Sequence, residues 1–324
     1  MRKHLSATSA TLVARITRVC ALAILVGAAC QSTPASSPSP GGGYPVVVHA
    51  SNGSTLTFSR QPHRIVSLSP TATEMLFAIG AGKQVVAVDD QSTYPPSAPV
   101  TRLSGFQPNV EAVAGYSPDL VVAAEDLGGL VKGLQALSVP ILIEPAARDV
   151  NGSYAQIREL GSVTGHASEA GALVARMKSD IASIAASVAK PARRITVYHE
   201  LDDTYFSATS HTFIGQLYVL LGLRNIADSA TGGAPDYPQL SSEFVVSASP
   251  DLIVLADTRC CHQDLQTVGA RPGWRSISAV RSGAVLAVDD DVASHWGPRM
   301  VDFLRTVAPR VAQLERAPAS APAG

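Results

Sequence analysis

Charged and aromatic side chains are scarce in this chain of 324 residues, at 16% and 5%, and there are only four cysteines. Little charge combined with 46% apolar residues excludes a disordered chain, which needs the opposite balance. Lys and Arg do not cluster, which excludes the basic footprint of a nucleic-acid binder. The apolar run at residues 19–29 falls well short of the roughly 20 residues that a helix needs to span a bilayer. Gly-x-Ser-x-Gly, His-Glu-x-x-His and a phosphate loop are all missing, so the chain does not read as an enzyme. The eight histidines are scattered and form no His-rich loop, which argues against a receptor for free zinc or manganese.

What is present begins at the N-terminus. Residues 1–29 hold four basic side chains and no acidic one, then the short apolar run, as a secretory signal does. The run ends Val26-Gly-Ala-Ala-Cys30, which resembles a bacterial lipobox, so Cys30 is the expected lipidation site and the protein is expected outside the cytoplasm, anchored to the membrane. Residues 30–43 are rich in Ser, Pro and Gly, the composition of a flexible tether. Without the signal, 21 basic side chains face 26 acidic ones. Cys260 and Cys261 are then the only thiols left in an oxidising compartment.

A thirteen-residue pattern occurs twice, 132 residues apart at every matched position, starting at Asn109 and at Ser241. Each copy has a capping residue, a Glu two places later (Glu111, Glu243), a short apolar helix, and Pro-Asp-Leu opening a β-branched strand. Two copies only, this far apart, imply two similar lobes rather than a solenoid. One outward Glu per lobe suits a protein that closes on a ligand and docks on a two-fold partner.

Between these landmarks, residues 46–58 read as a hairpin around Asn52-Gly53. Arg64-Ile-Val-Ser-Leu-Ser-Pro-Thr-Ala-Thr-Glu74 reads as a buried strand, a turn and a helix, with Thr71-Ala-Thr-Glu74 as a capping box. Strands at Val85–Val88, Leu120–Ala123 and Ile141–Ile143 alternate with helical stretches, which predicts a parallel α/β sheet. Val174, Met177, Ile181, Ile184 and Val188 step by three and four along one face of a long helix. A second lobe starts at Arg194, with strands near 252–256 and 284–288 and a helix near 297–314. The expected organisation is an N-terminal lobe over 44–166, a linking helix over 167–190, a C-terminal lobe over 191–316 and a disordered tail over 317–324.

This arrangement resembles the Fe/B12-type, helical-backbone (class III) solute-binding lipoproteins of ABC importers over residues 44–312. The resemblance rests on the 64–74 segment, Tyr94-Pro-Pro96, Asn109-Val-Glu-Ala-Val, both Pro-Asp-Leu strands and Trp296-Gly-Pro-Arg299, taken in order. It implies an α/β fold of two Rossmann-like lobes with parallel sheets joined by a single long backbone helix. It further implies a monomer without a cofactor that captures a metal chelate, cobalamin or a ferric hydroxamate siderophore, between the lobes. In that family the positions of Glu111 and Glu243 form salt bridges with arginines of the permease dimer; alone, each Glu is also accounted for by the helix dipole.

Open α/β sheets bind ligands at the carboxyl ends of their strands. Those ends supply Ser69, Thr71, Asp89-Asp90-Gln91, Glu125-Asp126, His199-Glu200, the stretch from Asp257 to Cys261, and Asp289-Asp290-Asp291. So acidic a mouth disfavours highly anionic chelates. Phe106, Tyr237 and Trp296 are the aromatic candidates, with Tyr94 and Tyr205 behind them, and His295 and Arg299 flank Trp296. His199, His211 and His295 also read as surface or cap residues, and Trp296 equally as core. The vitamin B12 binding protein carries Trp around the equivalents of Gly105 and Tyr237, so only the second aromatic is kept here. Haem-binding relatives use Tyr in the loop holding Phe106, and Phe cannot ligate iron. Cys260 and Cys261 are expected as a vicinal disulfide facing the cleft; a soft-metal site with His262 and two inert thiols are the alternatives. A haem or free-metal receptor, and a lipid-anchored ligand sensor, remain as other readings of the whole.

Overall fold

Val and Ile are stiff at Cβ and pack well on a pleated surface, so the apolar runs form strands with both faces covered. In the computed structural model, which describes residues 43–50, 53–188, 194–230 and 236–316, three sheets are formed. The signal, Cys30, the tether as far as residue 42, Asn52, residues 189–193 and the tail lie outside the described residues. A hairpin pairs β1 (Val46–His49) with β2 (Thr55–Phe58), turning at Gly53, whose φ of 82° favours glycine.

The first four-stranded sheet contains β3 (Ile65–Leu68), β4 (Val85–Val88), β5 (Leu120–Ala123) and β6 (Ile141–Ile143). The second contains β7 (Thr196–Glu200), β8 (Arg224–Asn225), β9 (Leu252–Leu255) and β10 (Val285–Ala287). All pairs within both are parallel, and the orders β4-β3-β5-β6 and β8-β7-β9-β10 are equivalent. The helices are α1 (Pro70–Ala78), α2 (Val110–Ala114), α3 (Leu130–Ala136), α4 (Val150–Thr164), α5 (Ala167–Ser187), α6 (Phe213–Leu220), α7 (Ser242–Ala248), α8 (Leu265–Ala270), α9 (Ser278–Arg281), α10 (Asp290–Ser294) and α11 (Met300–Arg316).

The 132-residue repeat has a structural cause as well. The Asp119 carboxylate accepts the backbone N–H groups of His63 and Arg64, which lead into β3. Asp251 accepts the N–H and hydroxyl of Thr196 at the start of β7, and Thr196 lies 132 residues after Arg64. Ser117 and Ser249, also at this offset, both take positive φ (49° and 43°) in the turn before each strand. Each Pro-Asp-Leu therefore pins the middle strand of its sheet to its neighbour.

Helix α5 joins the two halves and, at 21 residues, runs about 31 Å. It ends at Ser187, earlier than expected, and Val188 is extended. Its apolar face packs against α11, and one core runs from β3 and β5 through α4, α5 and α11 to the second sheet. The alternation of a strand is visible in the first sheet: Leu120 and Val122 join this core, while Val121 and Ala123 join a smaller one on the other face. Helix α1 departs from expectation. Ser69, not Thr71, is the N-cap, accepting from Ala72 N, and Pro70 occupies the first turn. Glu74 is 3% exposed and takes no part in capping.

Candidate functional site

At the carboxyl ends of the first sheet lies a cavity of about 360 Å3. Its floor is apolar, with Leu68, Pro70, Leu127 and Ala146, and its walls carry Ser69, Thr71, Phe106, His295 and Trp296. Ser69 and Thr71 stand there because α1 starts where β3 ends, and both are buried. Phe106 is 74% exposed on the rim. A Cβ on Gly105 would lie 2.7 Å from Asp89 Oδ2 and 2.8 Å from the Leu68 carbonyl, so only glycine lets this loop press against β3 and β4. That close approach leaves no room for an aromatic at 105.

Trp296 is neither pure core nor free surface. Its indole N–H donates to Gln156 Oε1 at 2.9 Å and its carbonyl accepts from the Ser153 hydroxyl, leaving the ring as cavity wall. A larger hollow of about 490 Å3, bounded by α1, α5 and α11, is lined by Arg176, Asp180, Asp302 and Arg305 and does not include the strand ends.

Other expected site residues are placed elsewhere. Gln91 is exposed, donates to Asp90 and does not line the cavity. Arg299 is withdrawn: it donates to Glu74 Oε1, stacks 4.4 Å over the Tyr94 ring, and lines the larger hollow. Tyr237 is half exposed on the second lobe, outside the cavity lining. Cys260 and Cys261 follow β9 as free thiols, so the expected vicinal bridge is not formed. The turn is fixed by Asp290, whose carboxylate accepts the N–H groups of Thr258, Arg259 and Cys260. His199 is fully buried in the core, 2.7 Å from the Tyr218 hydroxyl, and burial pushes it down to about 4.

The acidic mouth is largely neutralised within the protein. Asp89 is buried and accepts from the Ser92 hydroxyl; burial pushes it up to about 6. Glu200, also buried, receives Arg271 in a bidentate pair with both distances 2.6 Å, and Arg271 stacks 4.5 Å over Trp274. Asp257 is buried beside them, and burial followed by the Glu200 charge pushes it up to about 8. Asp126 accepts from Val131 N, Asp289 caps α10, and Asp291 pairs with Arg259. Arg259 is engaged by both Asp289 and Asp291, and Glu125, exposed and lining the cavity, is the carboxylate that remains to face a ligand there. The sequence reading also missed the apolar floor and Phe206, which is 37% exposed on the loop after β7 and bridged to Gln239 beyond Tyr237. The only available signal was that each follows a strand end.

Glu111 and Glu243 are exposed in the first turns of α2 and α7, and neither has an ion pair among the described residues. Their N-caps act identically, Asn109 accepting from Ala112 N and Ser241 from Phe244 N.

Comparison with known proteins places this geometry. The chain matches the periplasmic binding protein family over residues 65–292. It is 30% identical over 275 residues to an uncharacterised ABC transporter substrate-binding lipoprotein, YvrC, of Bacillus subtilis, covering 82% of this chain and 85% of that one. It is 32% identical to a cobalamin-binding protein of Halobacterium salinarum, covering 82% and 73%. A solved periplasmic haem-binding protein, RhuT, from a Roseiflexus species shares the fold, with a TM-score of 0.70 at 24% identity over 78% of this chain and 99% of that one. Paired parallel sheets, a single joining helix and a match along most of its length give one conclusion: the chain belongs to the periplasmic binding protein family, and it is a substrate-binding protein rather than an enzyme.

Proposed function

We propose that this protein is the extracytoplasmic, lipid-anchored receptor of an ABC importer, capturing a metal chelate between its lobes and delivering it to the permease. The observation that carries delivery is the pair Glu111 and Glu243: one per lobe, at one register, exposed, and capped by the same bond. A carboxylate at a helix start is already favoured by about 0.3–1 kcal/mol, so stability alone accounts for either one. It does not account for two that repeat at 132 residues and have no ion pair among the described residues, whereas bidentate recognition by arginines of a two-fold partner does.

For the ligand, the apolar floor with Phe106 and Trp296 suits a large ring system with little charge. Kinship to a cobalamin-binding protein supports a corrinoid ahead of a ferric hydroxamate. Pairing and burial of most other carboxylates of the mouth weaken the objection to a ligand carrying some negative charge, while Glu125 on the cavity wall still disfavours a highly anionic one. Cys30 serves as the lipid attachment site in this reading, with residues 31–43 as the spacer.

Calorimetric titration of the protein beginning at Gly43 tests the ligand. Binding of cyanocobalamin at micromolar or tighter affinity is expected; binding of ferrioxamine alone moves the receptor to hydroxamates, and binding of haem alone refutes both. For docking, Glu111→Ala combined with Glu243→Ala is expected to abolish uptake through the permease while ligand affinity is unchanged. Lost affinity would put these residues in the ligand site and refute docking.

A further inference from the structure

The wall of the cavity is not made by the first lobe alone. After β10 the chain passes through α10 and sends residues 294–299 across to the first lobe before α11 begins. Ser294, His295 and Trp296 of this strap line the cavity beside Thr71. Three residues beyond Thr71, on the same helix, Glu74 is almost fully buried and reaches the strap. Its Oε1 lies 2.8 Å from His295 Nδ1 and accepts from Arg299 Nε at 3.0 Å and from Nη2 of the same guanidinium.

These partners flank Trp296 on both sides in sequence, one residue before and three after. Between them, the Gly297 backbone lies so close that a Cβ there would be 3.2 Å from Glu74 Oε2, which is buried without a hydrogen-bond partner among the described residues. Two further polar contacts tie Trp296 itself to α4, through Ser153 and Gln156. The other negative charges near Arg299 are farther away, Asp289 at 3.8 Å and Asp291 at 4.0 Å. Among the described residues Glu74 is therefore the closest counter-charge holding a mostly buried guanidinium, and with it the strap, against the first lobe.

We propose that Glu74 is a positioning residue for ligand capture: by gripping His295 and Arg299 across the two lobes it holds the Trp296 ring in place as the wall of the cavity. It does not touch the ligand; its effect passes through Trp296. The inference rests on this cavity being the ligand site.

The test uses the protein beginning at Gly43, whose described part carries its own continuous core. Only two tryptophans exist, and Trp274 is fully buried, so acrylamide quenching of fluorescence reports on Trp296. Glu74→Gln, which keeps the volume and removes the charge, is expected to increase this quenching at least twofold and to weaken cyanocobalamin binding by about 10–100-fold, the loss typical of a charged hydrogen bond. Thr93→Val, which removes another cross-lobe bond, Thr93 to Asp291, is expected to leave both readouts unchanged. A Glu74→Gln protein with a lower melting point but unchanged quenching and affinity has only lost a stabilising tie, and the proposal is overturned. If the unsubstituted protein binds no cobalamin, the corrinoid reading has failed, while the quenching comparison still decides the role of Glu74.

Discussion

Asp257 offers a test in which the sign and size of the effect both come from its surroundings. It stands at the end of β9, fully buried, with neither carboxylate oxygen hydrogen-bonded among the described residues. Burial, then the charge of Glu200, pushes it up to about 8, well above the usual range for an aspartate. The folded protein therefore holds a proton that the unfolded chain releases near pH 4. Between these two values the folded state binds one proton more, so stability falls as pH rises, by about 1.4 kcal/mol per pH unit for one such group. Above about pH 8 both states are ionised and the contribution is flat. Asp257→Asn removes this dependence. Relative to the unsubstituted protein, its stability should gain about 3 kcal/mol on going from pH 5 to pH 7, or roughly 5–10 °C in melting temperature. Thermal unfolding followed by near-ultraviolet circular dichroism at pH 5, 6, 7 and 8 measures the difference. Glu144, which burial followed by the Glu159 charge also pushes up to about 8, contributes equally to both proteins and cancels. Two parallel curves, offset by a constant at every pH, would refute the argument.

Two further substitutions test the fold. Asp119→Ala and Asp251→Ala remove equivalent anchors of the two middle strands, so each is expected to lower stability by about 2 kcal/mol in urea unfolding, and a large effect at only one of them would break the equivalence of the lobes. Gly215→Ala would bring a Cβ to within 2.0 Å of the Thr209 carbonyl where α6 meets the preceding loop; a loss of about 3 kcal/mol or more is expected, and a small change would mean that this loop yields easily.

Much of the architecture could be read along the chain because buried parallel strands need continuous apolar runs rich in Val, Ile and Leu, and Val85–Val88, Leu120–Ala123 and Ile141–Ile143 are such runs. The two lobes were legible for a related reason: a capped helix, a turn and a strand are local chemistry, so the same solution appears twice at one offset, although Arg64 and Thr196, the partners of Asp119 and Asp251, lie 55 residues earlier. Partnership between distant side chains was not legible. Glu74 has the spacing of a capping box, yet its partners lie 221 and 225 residues away on a strap that the sequence alone does not place beside α1. The row of acids at the strand ends was read correctly as a row, but which of them face solvent was decided by Arg271, Arg259, Ser92 and the N–H groups of one turn. His199 sits at the end of a strand like its neighbours, and only the packing of α6 against β7 put it in the core. Local periodicity depends on neighbours within a few residues, which the sequence alone determines. The charge a ligand meets depends on which groups the folded chain brings within about 3 Å of one another, and only the tertiary structure decides that.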